Sequence, residues 1–150
     1  MISEHMAWSV LADLLLVVHD EHAPGDAEWD RWLRDYAAGA ADLRAMIVYS
    51  LGGGPASAQR KKLLETISQL PRAPDVFMVT SSALARGVVT ALSWFLPAAH
   101  RAKTFRLDEL DRVFAVLDLD AAARKAAKLE IDTLMSTLPS RLGLSRSAGA

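Results

Sequence analysis

Apolar and polar positions alternate between two periods along this chain. Residues 14–19, Leu-Leu-Leu-Val-Val-His, are apolar up to the last position and turn β-branched on the way, the pattern of a strand buried on both faces. Residues 43–50 and 75–80 repeat it. Trp8-Ser-Val-Leu11 reads as a short first strand that turns at Ala12 and Asp13, and residues 102–106 as a short closing strand whose charges suit a sheet edge. Between the strands the period becomes helical. Asp26 is an N-cap candidate, with Glu28 in the first turn, Trp29, Leu33 and Tyr36 on one face and a stop at Gly39. A second helix starts with Pro55 as its first helical residue and buries Leu63, Leu64, Ile67 and Leu70. A third, capped by Ser81 or Ser82, carries Leu84, Val88, Ala91, Leu92 and Phe95. A fourth, capped by Asp108, carries Leu110, Val113, Phe114 and Leu117.

Strands alternating with helices predict an α/β domain built on a mixed, mostly parallel sheet of about five strands with helices packed on it. This domain is expected over residues 1–119. An additional C-terminal helix over residues 120–138 places Ala123, Ala127, Ile131, Leu134 and Leu138 opposite Arg124, Lys125 and Lys128, and residues 139–150 form a flexible tail. The apolar stripe must be covered, either by its own domain or by a second copy. Because the domain already has a helix for each crossover, a homodimer through residues 120–138 is the expectation.

Composition narrows the function classes. With 150 residues the chain fits one domain, and 51% hydrophobic residues supply a core. The net charge of −1 gives no general attraction to nucleic acid. The absence of cysteine removes disulfides, thiolate metal sites and cysteine nucleophiles. No apolar run is long enough to span a membrane, and no signal peptide is apparent, so a cytoplasmic location is expected. The frequent Ala and Arg suggest a bacterial source.

One family resemblance rests on three stretches: Glu28-Trp29 opening the first helix, Gly52-Gly53-Gly54-Pro55 with Gln59-Arg60, and Ser81-Ser82 with Arg86-Gly87 and Trp94-Phe95. Together with the order of elements over roughly residues 8–117, these resemble the STAS domains, the anti-sigma-factor-antagonist-like modules of bacteria. The likeness is greater to the STAS-like group allied to lipid-binding SEC14-type domains. The resemblance implies a non-catalytic signalling or protein-interaction module whose partner is another bacterial regulatory protein. It leaves the last helix unexplained. The phosphoacceptor motif of STAS antagonists has no counterpart in register here, where the chain reads Tyr49-Ser50-Leu51-Gly52-Gly53-Gly54-Pro55-Ala56-Ser57.

The strongest local signal is this strand, glycine loop and helix. In a parallel sheet the carboxyl ends of the strands share one rim, which should hold His19 and Asp20, Ser50 with the glycines, and Thr80 with Ser81 and Ser82. Gly52, Gly53, Gly54, Ser57, Ser81 and Ser82 are the candidate residues for a small anionic ligand, with helix N–H groups as donors. Ser57, expected near the third helical position, is the candidate regulatory phosphosite. The plainer reading is a tight turn, with at least one glycine at positive φ, and capping serines. No Gly-Lys-Ser/Thr follows the loop, so it is not a Walker-type phosphate loop.

A triad of Ser50 or Ser81 with His19 and Asp20 lacks the Gly-x-Ser-x-Gly elbow, which leaves a small hydrolase the weakest reading. A small-molecule or lipid carrier is the alternative to the interaction module. His19, Asp20, Glu21 and His22 read as a solvated loop rather than a metal site, and no metal, cofactor or catalytic residue is expected. Trp32 lies off the main helical stripe and is expected to add to an exposed contact surface.

Overall fold

The computed structural model describes residues 4–83, 86–87 and 102–141. Five strands form one sheet in the order β1-β2-β3-β4-β5: Met6–Leu11, Leu14–His19, Ala45–Ser50, Asp75–Thr80 and Lys103–Phe105. β1 pairs antiparallel with β2, and every later pairing is parallel. The helices are α1 (Asp26–Gly39), α2 (Ser57–Gln69), α3 (Leu110–Val116) and α4 (Ala121–Thr137). Among the described strands, the short β5 lies at one edge of the sheet. Most of the expected helix after β4 lies outside the described residues.

Alternation along the strands divides the core in two. Leu15, Val17, Met46 and Val48 pack with Trp29, Trp32, Leu33 and Tyr36 of α1, with Leu63 and Ile67 of α2 half-buried beside them. Leu16, Val18, Ile47 and Val79 point the other way, against Val113 and Phe114 of α3 and Ala127, Ile131 and Leu134 of α4. Trp32 is thus a core residue, 2% exposed and stacked on Tyr36 at 5.3 Å, rather than part of an exposed surface.

This division corrects the reading of the last helix. Right-handed crossovers that step in one direction across a sheet deliver their helices to one face. α1 and α2 therefore share a face, and the opposite face needs another cover. α3 and α4 supply it. The stripe Ala127, Ile131, Leu134 and Leu138 docks on the chain's own sheet, so no second copy is needed to bury it. Asp120 caps α4, its carboxylate accepting from Ala123 N at 2.8 Å. The turn before it is a Schellman motif: Leu119 N–H donates to Phe114 O and Asp118 N–H to Ala115 O, with Asp118 left-handed at φ 53.

Candidate functional site

The described buried polar residues His19, Asp20, Glu28, Ser50, Gln59 and Thr80 gather at one end of the molecule. His19, Ser50 and Thr80 form a row across the carboxyl ends of β2, β3 and β4. β1 runs the other way, so its beginning joins the same rim: Met6 pairs with His19. Glu28, in the first turn of α1, fastens that beginning by accepting from Met6 N at 2.6 Å and His5 N at 3.1 Å.

Asp20 is the hub. Its carboxylate has no solvent exposure. Oδ1 accepts from His22 N at 2.8 Å, and Oδ2 lies 2.9 Å from His5 Nδ1 and 3.1 Å from Ser140 Oγ. Burial pushes the Asp20 carboxyl up. The hydrogen bonds from His5, His22 and Ser140, with the charge of His5, together outweigh burial and hold it below the usual carboxylate range. Beside it, Arg141 pairs with Glu21, so the turn after α4 is tied to the loop after β2 at two points.

The glycine loop is held against the same loop. Gly52 is at φ 129, the left-handed geometry expected of at least one of the three glycines. Gly53 is buried, and a Cβ there would lie 2.3 Å from His22 O and 2.5 Å from Asp20 O. Its N–H donates to Asp20 O at 2.8 Å. Ser50 Oγ donates to Gly53 O at 2.5 Å and accepts from Gly52 N at 3.1 Å. Two of the loop's three amides and the Ser50 hydroxyl are thus engaged within the protein.

Helix starts differ from expectation by one or two residues, for identifiable reasons. α2 begins at Ser57 with Ala56 as its N-cap, so Pro55 precedes the cap and Ser57 is the first helical residue, exposed, rather than the third. The third position is Gln59, whose Oε1 accepts from Ala56 N at 2.8 Å. Its Nε2 donates to Pro24 O and to Asp26 Oδ1, and Trp29 Nε1 donates to Gln59 O. Asp26 is engaged by Gln59, and Gly25 takes the N-cap of α1. Arg106 N–H donates to Glu109 at the start of α3's lead-in turn, where Asp108 had been the expected cap. Ser81 is exposed and Ser82 half-buried at the end of β4, with Ser82 N donating to Thr80 Oγ1 at 3.2 Å.

His19 is not part of a triad. Burial lowers it to about 4, against a smaller opposing pull from Asp20, and its buried Nδ1 has no hydrogen-bond partner. Successive residues of a strand end point to opposite faces, so His19 and Asp20 diverge. The histidines that meet Asp20 are His5 and His22, and the sequence signal for His5 was the antiparallel return of β1. No protein-family model, curated protein or solved structure matches the chain.

Proposed function

We propose that this chain is a non-catalytic, STAS-like binding module that acts in regulation by contacting another protein through the carboxyl-end rim of its sheet. The observation that carries this reading is the construction of the rim. The loops after β2 and β3, the start of β1 and the turn after α4 are hydrogen-bonded into one surface around Asp20. The Ser50 hydroxyl, one of the two candidate nucleophiles beside Ser81, is held between Gly52 and Gly53. A mixed sheet with one antiparallel strand leading four in parallel agrees with the resemblance carried by residues 28–29, 52–60 and 81–87.

The exposed side of the rim is where Gly54, Ser57 and Ser82 would receive a small anion. α2 has no side-chain cap, and Arg60 folds back to Pro55 O at 2.9 Å beside its start. Two experiments test the reading. Inorganic phosphate titrated into labelled protein should shift the amides of Gly54 and Ser57; no shift there rejects the anion site. Ser57→Glu should preserve the fold and alter capture of a regulatory partner from a bacterial extract. Capture equal to that of the parent rejects Ser57 as a switch.

The carrier alternative draws on a separate observation. Trp32 Nε1 and Tyr36 OH are buried side by side beneath α1 without hydrogen-bond partners, and burial pushes the Tyr36 hydroxyl up to about 12. A bound polar headgroup would satisfy them. Quenching of tryptophan fluorescence by fatty-acid micelles or lysolipid, lost in Tyr36→Phe, would favour that class.

A further inference from the structure

We propose that His5, Asp20 and His22 form a binding site for a divalent transition-metal ion of the zinc type. The three residues come from two segments, the approach to β1 and the loop after β2. One ligand atom of each lies within 4.8 Å of the other two. His5 Nδ1 is 2.9 Å from Asp20 Oδ2, and His22 Nδ1 is 3.5 Å from Asp20 Oδ1. The imidazole rings flank the carboxylate with centroids 5.1 Å apart, tilted by 43°. An ion holding its ligand atoms at about 2.0–2.1 Å separates neighbouring ones by roughly 3.0–3.4 Å. Each histidine nitrogen is therefore already near coordination length from one carboxylate oxygen, His5 from Oδ2 and His22 from Oδ1. Bringing both nitrogens and one carboxylate oxygen onto a single ion takes a turn of the His22 ring, whose side chain is 66% exposed.

The ligand types select the ion. Two imidazoles and one carboxylate suit zinc, cobalt, nickel or ferrous iron, whereas magnesium and calcium require mainly oxygen ligands. Three protein ligands leave an open position for water or for a side chain of a partner.

The surroundings are built as a metal site needs. Asp20 is wholly buried, and Ser140 Oγ and His22 N fix the plane of its carboxylate, as outer hydrogen bonds orient ligating groups elsewhere. The His22 side chain is largely exposed and that of His5 half-buried, which provides an entry path from the His22 side. The backbone of the glycine loop lies directly against Asp20 and His22, so an ion here would brace both loops of the rim.

The test uses the full, untagged chain and cobalt chloride. Visible absorption bands should rise to one equivalent of Co2+ and disappear on addition of Zn2+. Zn2+ but not Mg2+ should raise the melting temperature. His22→Ala, at an exposed position, should keep the circular dichroism of the parent and bind Co2+ at least about 100-fold more weakly. The proposal is overturned if neither ion binds at millimolar concentration, or if His22→Ala binds as the parent does. Neither result depends on phosphate shifts at Gly54 or on capture of a partner protein.

Discussion

The two ends of the sheet are built from different materials. At the carboxyl end of the parallel strands, Asp20, His19, Ser50 and Thr80 are buried, and the side chains of Asp20, Ser50 and Thr80 find partners over short distances. At the opposite end, the hairpin of Ala12 and Asp13 meets Arg44 in an ion pair at 3.0 Å whose side chains are almost half exposed. Arg44 also donates to Leu117 O, tying the hairpin to the turn after α3. An exposed pair adds little stability and is readily replaced. A buried carboxylate is retained only with its partners, because removing one leaves a desolvated charge. The difference teaches where specificity lies: one end joins strands, and the other organises a surface.

The largest effect expected from this contrast is at Gly53. Any Cβ there meets backbone atoms of His22 and Asp20, which cannot swing aside as a side chain end could. Gly53→Ala should lose about 3–4 kcal/mol in urea unfolding, at the severe end of single substitutions. Gly54→Ala, with nothing within 4 Å of its Cβ, should change stability by less than about 1 kcal/mol. Equal losses at both positions would mean that the two loops are not packed as described.

Acid provides the next test. His19 has an ordinary value of 6.5 when unfolded and about 4 when folded. Below 6.5 the unfolded chain binds a proton that the folded chain refuses. The contribution of His19 is therefore complete above pH 6.5, is lost as pH falls toward 4 at a cost of about 3 kcal/mol, and changes no further below that. Denaturant midpoints measured against pH, with a chelator present throughout, check this. His19→Gln should flatten the slope in that window. A parent curve that is flat between pH 6.5 and 4 would break the claim that the rim row is buried.

Asp20→Asn should cost about 2 kcal/mol, because the amide keeps the shape but exchanges charge-assisted hydrogen bonds for weaker ones and turns a donor toward His5 or Ser140. Asp13→Asn, at the other end, should cost no more than about 0.5 kcal/mol. Parallel urea titrations compare them directly, and equal costs would erase the distinction between the two ends.

Much of this fold was legible in the chain because its strands carry unambiguous apolar runs. Leu14–His19 and Asp75–Thr80 begin and end where the period changes. The rim was legible too, since parallel strands bring their ends together. What escaped were contacts made across long separations in sequence. His5 reaches Asp20 only because β1 turns back, and Ser140 only because α4 crosses the far face. Trp32 lay off the helical stripe because α1 is covered on a wider arc than a single stripe, by the sheet on one side and α2 on the other. The docking of α4, one of two readings open from the sequence, was passed over for a dimer because helices were matched to crossovers and not to sheet faces.

The smallest effect, opposite in sign, belongs to the amino end. Ala12 opens the two-residue turn of the β1–β2 hairpin at φ 53, a left-handed geometry that burdens an L side chain and suits glycine. Nothing in the rim depends on this turn. Ala12→Gly should therefore relieve strain and raise stability, offset in part by the greater freedom glycine gives the unfolded chain, for a net gain of up to about 1 kcal/mol. The carboxyl end allows no such improvement at Gly53, where the geometry already requires the smallest residue. A melting temperature a few degrees above the parent, with unchanged phosphate and metal titrations, is the expected result. A loss of stability would show that the strain at Ala12 is smaller than the freedom glycine adds to the unfolded chain, and would remove this contrast between the two ends.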